Sequence, residues 1–427
     1  MKYAVVTFGC RVNQADSLGF EEELLAAGAT PAAPESADLV VVNTCSVTAT
    51  ADQGARQTIR RIARDNPGAR IVVTGCYATR RPAELAALPN VAQVLANDDK
   101  PRLLPMIVGA GAGAATSTGD GPCGARIEPG VAGRTAFTLR VQTGCAEPCS
   151  YCIIPSTRGA PRSVPAVDVL REIERVVAAG FKEIALTGVH LGSYGRDLTP
   201  PATLIDLLRS IDANSGLRRA KTSAERAVLF RISSLEPMDC SREIVDLVAA
   251  SDCFAPHFHL PLQHAADVVL AAMRRPYTID FYARLVDDIR ARIPSAAIGT
   301  DIIVGFPGET DDDFEQLTAY LERSPLTHVH AFPYSDRPGT VASSLGGRAP
   351  GPVIRERARR IRDIGHRLAQ RFRDSQIGTV HRALTLEDGT LVVTGNYLKV
   401  RIPAGSSRNE WVCVGIRSDD DGELLAG

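Results

Sequence analysis

No stretch of this 427-residue chain approaches the roughly 20 consecutive apolar residues that a membrane-spanning helix needs. Nor does the chain carry a field of either sign, because 48 basic residues stand against 49 acidic ones. A global basic surface for nucleic acid is therefore excluded, and any RNA contact has to come from local patches. The N-terminal MKYAVVTFGC reads as a strand, so no secretory signal is expected. We expect a cytoplasmic protein with no membrane partner. A disulfide framework is disfavoured as well. The ten cysteines are unevenly spaced in a long chain, where clustered cysteines more often bind metal or do chemistry.

What is present divides into segments. Residues 1–105 alternate Val/Ile/Leu-rich strands (AVVTFG, DLVVVN, RIVVTG, VAQVLA) with amphipathic stretches, the pattern of a parallel sheet buried on both faces. Its first three strands each end in a cysteine: Cys10, Cys45 and Cys76. Ligands bind outside the carboxyl ends of strands in such sheets, so the three thiols are expected to share one site. Residues 106–134 read as a linker in which Cys123 has no specific role. Residues 135–350 repeat strand, polar loop and helix six times, which predicts a partial (β/α)6 barrel with its site at the strand C-termini. Residues 351–373 form an arginine-rich connecting helix with Ile354, Ala358, Ile361, Leu368 and Phe372 on one stripe. Residues 374–427 have the short strands and turns of a small β-barrel. The fold class expected is α/β.

The first barrel loop contains VQTGCAEPCSYCIIP, which sets Cys145, Cys149 and Cys152 in a C-x3-C-x2-C run. Three thiolates so close suit a metal centre, yet a closed tetrahedral zinc or cubane cluster takes four protein ligands. The spacing differs from ferredoxin patterns, and nothing pairs His257, His259 or His264 with these cysteines, so those histidines read as structural. An open coordination position is what a catalytic metal centre requires.

C-x3-C-x2-C ahead of a partial barrel resembles the radical S-adenosylmethionine (SAM) superfamily. That resemblance implies a [4Fe–4S] cluster on Cys145, Cys149 and Cys152 with SAM as the fourth ligand. It also implies SAM contacts from Tyr151, from Gly188 in TGVHLG, from Ser233 and Glu236 in RISSLEP, and from Gly305 in IIVGFPGET. With the N-terminal three-cysteine domain and a terminal barrel of TRAM type, nearly the whole chain resembles the methylthiotransferases. There Cys10, Cys45 and Cys76 would hold a second [4Fe–4S] cluster that supplies or carries sulfur.

The motifs TFGCRVNQAD, NTCSVTATADQGARQTIRR, TGVHLGSYG and HVHAFPYSDRPGT are most similar to one of the branches acting on tRNA. That branch methylthiolates C2 of N6-threonylcarbamoyladenosine beside the anticodon. Other branches act on N6-isopentenyladenosine or on a ribosomal-protein aspartate, and a non-catalytic iron–sulfur module that binds RNA is the reading from another class. The implied partners are tRNA and a reducing donor such as flavodoxin or ferredoxin. The sequence departs from the family at LQHAAD, where LQSGSD is common, and at Asp16, where the family commonly has glutamate. Arg56, Arg60 and Arg64 share one helix face after Cys45 and are candidate RNA contacts, with Arg158 and Arg162 behind them. No catalytic residue beyond the cluster ligands is identifiable.

Overall fold

Near-continuous β-branched strands do form a parallel sheet at the start of the chain. A computed structural model describes residues 1–108, 129, 135–214, 228–418 and 424–426. Cys123 and most of the linker lie outside the described residues. Among those described, the chain divides into two units. One holds residues 1–108 with 142–162 and 335–343, and the other holds 135–141, 163–334 and the residues from 344 onward.

The first unit runs β1 (Lys2–Thr7), α1 (Arg11–Ala26), β2 (Thr30–Pro31), β3 (Leu39–Thr44), α2 (Ala49–Asp65), β4 (Arg70–Gly75), α3 (Cys76–Arg80), α4 (Pro82–Ala86), β5 (Val91–Leu95) and α5 (Leu103–Val108). The sheet order is β2-β1-β3-β4-β5, and every pairing is parallel. Alternation sends Val40, Val42, Ile71 and Val73 to one face, against Ala55, Ile59 and Ile62 of α2. Leu39, Val41 and Val72 go to the other, against Phe20 and Leu24 of α1 and Leu103 of α5. Two features escape hydrophobic patterning. β2 is a two-residue edge strand containing a proline, too short to show a period. The buried face of α1 includes Asn13, Asp16 and Ser17, which amphipathicity would have sent to solvent.

In the second unit six parallel strands form two three-stranded sheets. One pairs Phe137–Arg140, Glu183–Thr187 and Leu229–Ile232; the other pairs His257–His259, Ala297–Val304 and His328–Pro333. An isolated parallel bridge links Phe230 of the first sheet to Phe254, three residues ahead of the second. Helices Ala166–Ala178, Leu204–Ala213, Arg242–Ala250, Ile279–Arg292 and Asp311–Arg323 lie between the strands, two of them opened by capping boxes at Thr203 and Thr310. The long helix Gly351–Gln376 buries Ile361, Ile364 and Leu368. Much of its basic side is committed to the protein: Arg357 pairs with Glu309 and Asp311, Arg360 with Glu315, and Arg367 with Glu322. Five strands then close a barrel in the order Val380–Leu386, Leu391–Thr394, Lys399–Arg401, Leu424–Ala426, Trp411–Ser418.

Arg231 ties this small barrel to the six-stranded one. Its side chain is fully buried, donates to Glu183 at 3.1 Å and to the Gly395 carbonyl at 2.9 Å, and stacks on Tyr397 at 4.5 Å. Removing one partner of a buried pair leaves the other uncompensated. Arg231→Met is expected to cost ~3–5 kcal/mol, read as a lower urea midpoint at unchanged slope.

Candidate cluster sites

Because β1, β3 and β4 are parallel neighbours, their carboxyl ends open at one edge. Cys10 there precedes α1, Cys45 follows β3, and Cys76 begins α3. Two glycines let the backbones converge. Gly9 and Gly75 have φ of +93° and +99°, in the left-handed half of conformational space. A Cβ on Gly9 would lie 2.5 Å from the Cys45 Cβ, and one on Gly75 would lie 2.2 Å from the Thr44 carbonyl oxygen. Burial pushes the Cys45 thiol up to about 12, and the nearby Cys76, Cys10 and Asp52 push the same way. The Val47 amide donates to the Cys45 sulfur at 3.5 Å and opposes that shift.

The three thiols thus sense one another, but they are not packed for a single ion. Among the described residues the set of ligand atoms mutually within 4.8 Å is His259, Asp301 and His330, with no cysteine in it. Wider spacing suits a cubane, which takes one thiolate per iron.

The second triad is in the same unit. Cys145, Cys149 and Cys152 are half-buried on a loop that runs into the helix Ile154–Arg158. The loop is pinned by Cys145 N–H to the Gly159 carbonyl at 3.1 Å and by Cys152 N–H to the Cys149 carbonyl at 3.2 Å. Amides of Glu147 and Ile154 donate to the sulfurs of Cys145 and Cys152 at 3.4 and 3.5 Å. Amide donors aimed at cysteine sulfur stabilise thiolates and are among the levers that set cluster potentials.

Sequence reasoning misplaced Arg158. Its side chain is 3% exposed, so it cannot follow an RNA backbone. It donates to Asn13 Oδ1 at 2.5 Å and to Asp16 Oδ2 at 3.2 Å, and also to Cys76. Lys100 Nζ reaches the same Asp16 oxygen at 2.5 Å. Asn97 spans the gap, donating to the Thr157 carbonyl at 2.8 Å and to Cys76 Sγ at 3.7 Å. Burial disfavours both cations, and it lowers Lys100. In Arg158 the neighbouring Cys76, Asp16 and Cys10 outweigh burial and hold the proton more firmly still. Two buried cations against one carboxylate leave positive charge beside Cys76 and Cys10, the complement of a thiolate-ligated cluster. No pattern in the sequence marked this group, because its members come from α1, the turn after β5 and the segment after Cys152. Arg162 is exposed and pairs with Asp98.

A second network holds the DRPGT segment. Asp52, in the first turn of α2, accepts from Ser46 at 2.6 Å, Arg80 at 2.9 Å and the buried Arg337 at 2.6 Å. On the same helix Arg56 donates to the Tyr77 hydroxyl and pairs with Glu84, whereas Arg60 and Arg64 face solvent.

In the second unit the expected SAM contacts occupy loops after barrel strands. Tyr151, by contrast, lies with its cysteine loop in the first unit and is half-buried. Gly188 follows Thr187 at the end of its strand. Its TGVHLG loop folds onto Asp239, which bonds His190 Nε2 at 2.8 Å and against which Gly192 leaves no space for a Cβ. The buried Ser233 Oγ has no partner among the described residues, while Glu236 is held by Arg275. The Gly305 amide donates to Glu309 at 2.6 Å. His264 of LQHAAD is fully buried beside that carboxylate, and burial lowers it to about 4, so it is neutral. His257 is buried as well, but His259 is bonded to Asp301 and is taken up below.

Comparison with known proteins places these features. Residues 2–96 match Uncharacterized protein family UPF0004, and residues 139–321 match the Radical SAM superfamily. A threonylcarbamoyladenosine tRNA methylthiotransferase of Aquifex aeolicus is 35% identical over 94% of this chain and 96% of its own. The chain belongs to the radical SAM methylthiotransferase family. A tRNA-2-methylthio-N(6)-dimethylallyladenosine synthase of Carboxydothermus hydrogenoformans is 31% identical over 90% of this chain and 87% of its own. The fold agrees with that of the radical SAM methyltransferase TsrM from Kitasatospora setae, at a TM-score of 0.57 and 17% identity, covering 80% of this chain and 77% of that one. The methylthiotransferase is therefore an enzyme that uses SAM and [4Fe–4S] clusters, two of them in this family. Its residues fit those groups: two spaced cysteine triads, sulfur-directed amides, buried compensating cations and the orphaned Ser233 hydroxyl. Among the described residues no helix is long and apolar enough to cross a membrane.

A cluster held by Cys10, Cys45 and Cys76 would feel the charge of the Arg158–Asp16–Lys100 group. In a Cys145→Ala/Cys149→Ala/Cys152→Ala background, redox titration followed by electron paramagnetic resonance reads that cluster alone. Arg158→Gln is expected to shift the midpoint negative and Asp16→Asn to shift it positive, each by tens of millivolts where ~59 mV is a tenfold bias. Shifts of the same sign would show only structural damage.

Proposed function

We propose that this chain methylthiolates C2 of N6-threonylcarbamoyladenosine in tRNA, beside the anticodon. The observation that carries the reading is the pair of three-cysteine sets in one unit, each one ligand short of closing a cubane. The name of the Aquifex relative, at 35% identity over nearly the full chain, supports threonylcarbamoyladenosine over the dimethylallyl substrate named for the relative at 31%.

In this reading Cys145, Cys149 and Cys152 hold the cluster that binds SAM, and Cys10, Cys45 and Cys76 hold the second. When bound, these groups supply a carbon radical strong enough to break an unactivated C–H bond, together with the sulfur and methyl to be transferred. The chain's own residues do the rest. Amides of Glu147, Ile154 and Val47 stabilise thiolates, and Arg158 and Lys100 compensate buried negative charge. Tyr151, Gly188, Ser233, Glu236 and Gly305 serve SAM, with the Ser233 hydroxyl available to a polar group of it. Arg60 and Arg64, with Arg56 braced behind them by Glu84, meet the tRNA backbone. A small reducing protein of the flavodoxin or ferredoxin class delivers the electron.

Nucleoside analysis of tRNA from cells with and without the gene tests the substrate. Loss of the methylthio group from threonylcarbamoyladenosine is expected, and loss from isopentenyladenosine instead would overturn the assignment. Separately, alanine at any of Cys145, Cys149 or Cys152 should abolish release of 5′-deoxyadenosine from SAM. Alanine at Cys10, Cys45 or Cys76 should leave some release but no methylthio product. Full product from Cys45→Ala would refute the second-cluster ligands.

A further inference from the structure

The interior of a (β/α) barrel is ordinarily filled by layers of Val, Ile and Leu. The inner wall here is different on its last three strands. Val329 meets Gly365 of the long helix, so its neighbours His328 and His330 point to the opposite, inner face. There a file of imidazoles runs through the barrel. His257 lies 5.2 Å from Tyr397, 6.0 Å separates it from His328, and His330 is 5.7 Å from His328 and 5.4 Å from His259. Gly299 makes room for the file, since a Cβ there would lie 1.9 Å from the His328 ring.

The file ends in a hydrogen-bonded trio. Asp301 Oδ1 faces His259 Nε2 at 3.0 Å and His330 Nδ1 at 3.2 Å. Strand register holds it in place, because Asp301 is the direct partner of His330. The members differ in access. His259 and Asp301 are 12% and 25% exposed at the side chain, but His330 is 56% exposed. With Nδ1 occupied by Asp301, His330 offers Nε2 from the far edge of its ring.

The charge states follow from these contacts. Burial would raise Asp301, but the bonds from His259 and His330 override it and hold the carboxyl well below the usual range. The Asp301 bond raises His330, while burial and the two neighbouring rings hold His328 down to about 4. The accessible end of the trio is thus a hydrogen-bond donor that favours positive charge, and it suits an anion. The two N6 substituents named for the relatives differ in this respect. A threonylcarbamoyl group ends in a carboxylate, and a dimethylallyl group is hydrocarbon.

We propose that His330, oriented by Asp301 and backed by His259, binds the carboxylate of the threonylcarbamoyl group and so selects this adenosine over one with an apolar N6 chain. The inference rests on the substrate proposed above. His330 is the contact residue, and Asp301 is a positioning residue acting through it.

The test uses enzyme with both clusters loaded. Its substrates are tRNA bearing N6-threonylcarbamoyladenosine and the same tRNA with the threonyl carboxylate converted to its methyl amide. The wild-type protein is expected to favour the carboxylate substrate in kcat/KM. His330→Gln should lose about tenfold or more on that substrate, mainly through KM, and bring the preference close to unity. Asp301→Asn should move the same way by less, and His330→Arg should keep the preference, because it restores a cation. An unchanged preference in His330→Gln, or wild-type indifference to the amide, overturns the inference alone. No product from threonylcarbamoyl tRNA with the wild-type enzyme overturns the substrate assignment and the inference together. The three ligand atoms are also close enough for a metal ion. One equivalent of zinc retained on dialysis by the loaded wild-type enzyme, and lost in His330→Gln, would make the trio a cation site and refute the proposal.

Discussion

Thiolates gathered at one sheet edge repel one another, and burial penalises that of Cys45. Most of the first unit's unusual features answer that constraint. Positive charge has to be buried with the sulfur, and a buried cation in turn needs a carboxylate and hydrogen-bond acceptors. Arg158 and Lys100 supply the charge, Asp16 balances part of it, and Asn13 and Asn97 satisfy what remains. This is why the inward face of α1 is polar where an ordinary helix would be aliphatic. It is also why the segment following one cysteine triad ends against the other: Arg158, six residues past Cys152, sits beside Cys76 and Cys10.

Close backbone approach is the second requirement. Gly9 and Gly75 each precede a cysteine, and each stands where a methyl group would collide with a neighbouring strand end. Main-chain freedom and side-chain charge thus converge on one small volume. The effect is local, because each turn glycine is followed directly by a cysteine of the triad.

The second unit meets a different constraint. A barrel with polar side chains on its inner wall is not filled by aliphatic layers alone, and a polar lumen must be satisfied where it is buried. Arg231, Glu183 and Tyr397 do this at one level, and His259, Asp301 and His330 do it at another. In each group a carboxylate, Glu183 or Asp301, lies within 3.2 Å of its basic partners. In the second group His330 is the most exposed member, at 56% of its side chain.

The sequence alone determined what depends on short-range pattern. Uninterrupted Val runs marked a two-sided parallel sheet, six strand–loop–helix units marked a partial barrel, and C-x3-C-x2-C marked a metal centre with a ligand missing. Each of these signals is carried by neighbours in the chain and needs no fold to be read. Tertiary structure decided the partners. Arg158 looked like an RNA contact because arginines outside apolar stripes are usually solvated, but Asp16, 142 positions away, draws it into the interior. His259 looked structural because nothing near it in sequence signalled chemistry; the fold brings its ring within 3.0 Å of Asp301, the register partner of His330. Contacts that join distant segments depend on how strands order and helices pack, and no periodicity encodes that information locally.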